Sequence, residues 1–202
     1  ALPATFTVQA TGTSLAFLWA VSTDGGVSFV NMPTEMQPTL ALPAVSANQH
    51  GNQYRVRVSN AAGQIFSQPA LLTVYIAPMI TISPVATTVL LANNLTLVAS
   101  AKGRPLPTVI WEQSDNAGAS YVTAAGNIIN GIGILDDVDS TLIYTNVTRA
   151  MNNRLYRVVF SNSEGFVSST PVTLTVLSPP LVVQQPVDQV VLAGTPVVFT
   201  AS

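Results

Sequence analysis

Apolar residues recur along this chain with a period of two, in short runs. Tyr54-Arg55-Val56-Arg57-Val58-Ser59 alternates apolar and polar positions, and Ala4 to Ala10 and Leu95 to Ala101 do much the same. Tyr156 to Ser161 and Leu71 to Val74 are rich in β-branched residues. This pattern predicts strands, because successive side chains of a strand point to opposite faces. Turn-forming clusters separate the runs: Asp24-Gly25-Gly26, Asn60-Ala61-Ala62-Gly63 and Asn162-Ser163-Glu164-Gly165. No segment combines helical periodicity with capping residues. Short, regularly spaced strands with one apolar face must bury that face against a second sheet, so the expected fold is an all-β sandwich.

The chain is built from an internal repeat. Tyr54-Arg55-Val56-Arg57-Val58-Ser59-Asn60 returns 102 positions later as Tyr156-Arg157-Val158-Val159-Phe160-Ser161-Asn162. Ser67-Gln68-Pro69-Ala70-Leu71-Leu72-Thr73-Val74 returns at the same offset as Ser169-Thr170-Pro171-Val172-Thr173-Leu174-Thr175-Val176. Trp19 and Trp111 are 92 apart, so the second copy carries about ten extra residues, placed within 125–139. A third copy opens at Pro179-Pro180-Leu181-Val182-Val183, parallel to Ala77-Pro78-Met79-Ile80-Thr81. Three units are therefore expected: residues 1–75, lacking a leading strand; residues 76–177, with the insertion; and residues 178–202, the first strands of an incomplete third unit. Leu181, Val183, Val190 and Leu192 are the expected strand contacts to a neighbouring repeat or subunit.

Composition narrows the functional classes. Charged residues make up 8 % of the 202 residues and the net charge is −2, against a usual charged fraction of about 25 %. No apolar run approaches the ~20 residues of a membrane-spanning helix, so the polar faces must be Thr, Ser, Asn and Gln. Weak net charge leaves little electrostatic resistance to packing beside copies of the same chain. Seven scattered basic residues are too few for a nucleic-acid footprint. Without cysteine there is neither a disulfide framework nor a thiolate metal site.

Val8-Gln9-Ala10-Thr11-Gly12 and Ala99-Ser100-Ala101-Lys102-Gly103 resemble the Cys-x-Ala-x-Gly strand of the immunoglobulin-like superfamily, in the cysteine-free form of bacterial surface repeat proteins. Trp19 and Trp111 then stand where that family carries its buried Trp. Tyr54 and Tyr156, two residues before Val56 and Val158, match its tyrosine corner. The resemblance implies tandem Greek-key sandwiches in which Val8 with Val56, and Ala99 with Val158, replace the disulfide. Cohesion worth about 2–5 kcal/mol per bridge must then come from apolar packing. The acidic residue that often precedes the corner is replaced by His50 and Asn152, and each phenol is still expected to bond backbone. Junctions as short as Tyr75-Ile76-Ala77 and Leu177-Ser178 imply end-to-end domains with little free hinge.

Candidate chemistry is sparse. His50, the single histidine, sits beside Gly51 with no Ser or Cys placed to use it. Asp136, Asp137 and Asp139 form the best Ca²⁺ candidate, without the spacing of a known loop and with only Glu35 nearby in the first repeat. Arg55 and Arg57 alternate along one strand and could face a partner. No catalytic residue and no cofactor are assigned. The expected function is a structural segment of an extracellular or cell-surface filament, sheath or adhesin stalk, partnered by its own neighbouring repeats or subunits. The alternatives are a module binding a surface glycan or host ligand, or an accessory region of a secreted enzyme or phage tail protein.

Overall fold

The structure is a computed structural model that describes residues 3–132 and 136–201. Among these the chain contains strands, two single 3-10 turns and no α-helix. The first repeat runs β1 (Ala4–Thr7), β2 (Ala16–Ser22), β3 (Val30–Asn31), β4 (Thr39–Leu42), β5 (Gln53–Asn60), β6 (Gly63–Phe66) and β7 (Ala70–Leu71). The second follows as β8 (Ile76–Ile82), β9 (Thr87–Leu90), β10 (Leu95–Arg104), β11 (Thr108–Ser114), β12 (Val122–Thr123) and β13 (Asn127–Ile132). It closes with β14 (Asp137–Tyr144), β15 (Leu155–Asn162), β16 (Gly165–Ser168) and β17 (Val172–Leu177).

In the second repeat a four-stranded sheet, β13-β14-β10-β8, faces a six-stranded one, β12-β11-β15-β17-β9 with β16 on β15. In the first, β1 pairs β4, and β3-β2-β5-β6 with β7 on β5 forms the other sheet. All ladders are antiparallel except that of β9 on β17. The extra residues of the second repeat form β13 and the first half of β14, which widen the sheet by one strand; residues 133–135 of this predicted insertion lie outside the described residues. Gly126 at its entry is required by close approach, since a Cβ there would lie 2.7 Å from Leu142 Cδ1 and 2.8 Å from the Ile143 carbonyl oxygen.

The predicted alternation places the core. Along β5, Tyr54, Val56 and Val58 point inward and Arg55 and Arg57 outward; along β15, Tyr156, Val158 and Phe160 are buried. Trp19 lies directly across from Val56 and Trp111 from Val158. Trp111, Val158 and Ala99 are buried together in the second core, and Trp19, Tyr54, Val56 and Leu40 in the first, with Val8 packed against it. Loss of either indole is expected to cost about 3–5 kcal/mol.

Residues 178–201 form no strand in this structure. Leu181, Val183, Val190 and Leu192 are exposed. Among the described residues the expected leading strands pair with no sheet, and a strand is held by hydrogen bonds to a partner edge.

Candidate functional site

The two repeats share a skeleton of side-chain hydrogen bonds that fixes their loops. Its first part is a loop written Ser-x-Asp/Asn-x-Gly-x-Ser after the Trp strand. Ser22 Oγ donates to Asp24 Oδ1 at 2.7 Å, and the Gly26 and Ser28 amides donate to Ser22 Oγ and Asp24 Oδ1 at 2.8 and 2.9 Å. In the second repeat Ser114, Asn116, Gly118 and Ser120 repeat these bonds at 2.8, 2.9 and 2.9 Å. The hydroxyls of Ser22 and Ser28 hold the Asp24 carboxyl well below the usual carboxylate range. Ser22, Asp24, Gly26 and Ser28 recur 92 positions on, the same offset as the Trp pair. That signal lies in the sequence but is hidden by the change of Asp to Asn.

The second part holds the last residues of each unit, those after β7 in the first and those of β17 in the second. The Val74 amide donates to His50 Nδ1 at 3.0 Å, and the Val176 amide to Asn152 Oδ1 at 2.8 Å. Around each contact the backbone bonds also match: Gly51 N to Leu72 O at 2.9 Å, and Asn153 N to Leu174 O at 2.9 Å. His50 therefore has a structural task, its Nδ1 accepting the Val74 amide. The third part is the Asn pair. Asn60 Nδ2 donates to the Thr13 carbonyl, while Asn162 Nδ2 donates to the carbonyls of Pro105 and Ile76, both at 2.8 Å.

Two expectations from the sequence are corrected here. The Tyr156 hydroxyl, fully buried, finds no hydrogen-bond partner among the described residues. The position that would hold it in a tyrosine corner, Asn152, is engaged by Val176 instead. Burial pushes the Tyr156 phenol up. Arg55 does not stand free for a partner: its guanidinium lies 3.9 Å from the Phe29 ring and 4.6 Å from the Phe66 ring. Arg157 lies 3.8 Å from Tyr121 and donates to Glu112 at 2.7 Å. These outward arginines are stacked in place.

The acidic cluster is dispersed by its own strand. Asp136 pairs with Arg104, Asp137 lies 3.8 Å from Lys102, and Asp139 accepts from Ser100 Oγ at 2.5 Å. Each carboxylate thus faces β10 with a separate partner. Among the described residues no three His, Asp or Glu side chains are arranged to hold a metal ion. Nor is any helix of the described residues long and apolar enough to cross a membrane.

The junction is tied as well. Arg104 Nη1 donates to the Val74 carbonyl at 3.4 Å, Asn162 to that of Ile76, and Arg149 Nη2 to that of Pro179 at 2.8 Å. Side chains of the second repeat thereby hold backbone on both of its sides.

No family model matches the chain. Among curated proteins, Endoglucanase C of Cellulomonas fimi is 32 % identical over 162 residues, which is 80 % of this chain and 14 % of that protein. Human Leucine-rich repeats and immunoglobulin-like domains protein 1 is 28 % identical over 145 residues, or 72 % of this chain and 12 % of that protein. The chain therefore spans a small part of the relatives it matches. Of solved structures, an I-band fragment of titin superposes with a TM-score of 0.57 at 20 % identity, covering 91 % of this chain and 63 % of that one. Dpr2 Ig1-Ig2 in complex with DIP-Theta gives 0.56 at 19 % identity, covering 87 % and 59 %. The fold is that of tandem immunoglobulin-like sandwiches. The shared skeleton of Ser-Asp/Asn loops, His50/Asn152 clamps and Asn60/Asn162 ties is how this chain builds them without sulfur.

Proposed function

We propose that this chain is a structural repeat segment of a bacterial extracellular or cell-surface protein, a filament, sheath or adhesin stalk, and that it is not an enzyme. The observation that carries the reading is the tied junction. Arg104 and Asn162 bond the carbonyls of Val74 and Ile76, which flank Tyr75, the one residue between them. A linker whose carbonyls are claimed by the next domain cannot swivel freely, so the repeats transmit force and direction along the chain. Partners are neighbouring repeats or subunits, and the Thr/Ser/Asn/Gln surface suits lateral packing. Negative-stain electron microscopy of the intact protein tests this: stiff strings of beads one domain wide support it, and compact or freely jointed particles refute it.

A second reading is favoured by the 32 % identity to a stretch of Endoglucanase C. In it, the chain is an accessory region of a secreted polysaccharide-degrading enzyme and contacts glycan. Pull-down on cellulose and related insoluble glycans separates the two, since a purely mechanical segment stays in the supernatant.

A further inference from the structure

An arginine stands on the outer face of β5 and another on that of β15, but the two faces give them different company. Arg157 lies across from Glu112, to which its Nε donates at 2.7 Å, and over the Tyr121 ring. Arg55 holds the same place in the first repeat, 102 positions earlier. It lies across from Ala20, the equivalent of Glu112, and against Phe29, the equivalent of Tyr121. The aromatic half of the arrangement is kept and the carboxylate is gone. Two positions on, Arg57 adds a second guanidinium where the second repeat has Val159.

Neither Arg55 nor Arg57 forms an ion pair among the described residues; the ion pairs found there all lie within the second repeat. The Nε of each is buried with no hydrogen-bond partner among those residues. Arg57 reaches Gln64 through Nη1, at a long 3.5 Å. Stacking on Phe29 and Phe66 keeps Arg55 from swinging out, but it takes up the flat faces of the guanidinium and not its N–H edge. An arginine held in this way loses little freedom when an oxyanion meets that edge.

The register lays out the surroundings. Leu18, Arg57 and Phe66 form one row across the sheet, and Asn31, Ala20 and Arg55 the next. Arg55 and Arg57 are alternate residues of one strand, so they are spaced by about 6.7 Å along it. Phe66 is 46 % exposed, and the amides of Asn31 and Gln64 are exposed beside it.

We propose that this face binds an acidic polysaccharide, with the carboxylates of its uronate residues meeting Arg55 and Arg57. The two arginines lie on the flat of a sheet and not along its edge, where peptide strands add, nor in a cavity of the kind that encloses a small molecule. A polymer that lays several weak contacts across a surface suits such a face. Phe66 offers a ring to the apolar side of a sugar, and Asn31 and Gln64 offer donors and acceptors to its hydroxyls. The inference goes beyond the structural reading, which rests on the junction, and a stalk or an accessory region carries it equally well.

Affinity electrophoresis of the intact chain through gels containing polygalacturonate is the test. Retardation is expected, much weaker in a neutral glucan gel and reduced by salt. Arg57→Gln should weaken binding about tenfold or more, since a carboxylate loses its charged donor. Ala20→Glu, which copies Glu112, should do the same by giving Arg55 a carboxylate from its own sheet. Arg157→Gln removes a cation that is already paired and should stay within about twofold of wild type. Trp19 fluorescence checks that each variant is folded, and Arg57→Gln decides alone if Ala20→Glu is not. No retardation of the wild-type chain, equal retardation by the neutral glucan, or undiminished binding by folded Ala20→Glu or Arg57→Gln would each overturn the inference. Equally tight binding of poly-L-glutamate would overturn it too, by making the face a reader of charge alone. Stiff strings from the intact protein together with no retardation would leave the structural reading standing and sink this site alone.

Discussion

His50 and Asn152 are chemically different residues that do the same work. Each accepts the amide of the residue 24 positions downstream, Val74 or Val176, and so fastens the end of its unit to the turn before β5 or β15. His50→Asn should therefore fold with wild-type stability, because the shorter amide already closes the same contact in the second repeat. His50→Ala should cost about 1–2 kcal/mol, leaving the Val74 amide without its acceptor. Urea denaturation followed by Trp19 fluorescence checks both. Equal losses for the two variants would show that the contact is not what holds the strand.

Tyr156 presents the opposite case, a buried hydroxyl with no hydrogen-bond partner among the described residues. Removing an unsatisfied polar atom while keeping the ring should not weaken the core. Tyr156→Phe is expected to match or exceed wild-type stability by up to about 1 kcal/mol. A clear loss in chemical denaturation would mean that the phenol is bonded in solution.

Ser140 ties the buried indole to the edge strand β13: it accepts from Trp111 Nε1 at 2.9 Å and donates to Asn130 Oδ1 at 2.6 Å. Ser140→Ala leaves a buried indole N–H unpaired and should cost about 1–3 kcal/mol. In the first repeat Trp19 Nε1 donates to the backbone carbonyl of Gln37 at 2.9 Å, which a side-chain change cannot remove. Gln37→Ala should accordingly be nearly silent. Thermal unfolding of the two variants gives the contrast.

Asp24 gives a pH dependence of known sign. Its folded carboxyl is held well below the ordinary aspartate range, first by the Ser22 hydroxyl and then by Ser28. The stabilising contribution is therefore complete above about pH 5, where the unfolded carboxyl is also ionised, and fades as pH falls below about 4 toward the folded value. Asp24→Asn, which copies Asn116, should keep the loop and abolish this dependence. The stability gap between wild type and variant, measured by urea melts between pH 6 and pH 3, should shrink on acidification; a constant gap would refute the assignment.

Much of this protein was legible before any coordinates. The two-residue period of β5 and β15 requires their inward residues, because alternation leaves a strand only one way to bury Tyr54, Val56 and Val58. The 102-residue repeat and the Trp pair dictate two sandwiches of one kind, and the added residues within 125–139 require an insertion. The roles of the polar residues were not legible. Asp136, Asp137 and Asp139 read as a cluster along the chain, but they line up along β10 and are separated there by Lys102, Arg104 and Ser100.

What the sequence determined by itself is the set of faces that must be buried, since that depends on local alternation. What tertiary structure alone decided is which polar atoms meet. His50 finds Val74 and Arg55 finds Phe29 and Phe66 across turns and neighbouring strands, and those distances are set by sheet pairing. The same holds for residues 178–192: their apolar pattern is written in the chain, but a strand needs an edge, and an edge exists only in the folded molecule.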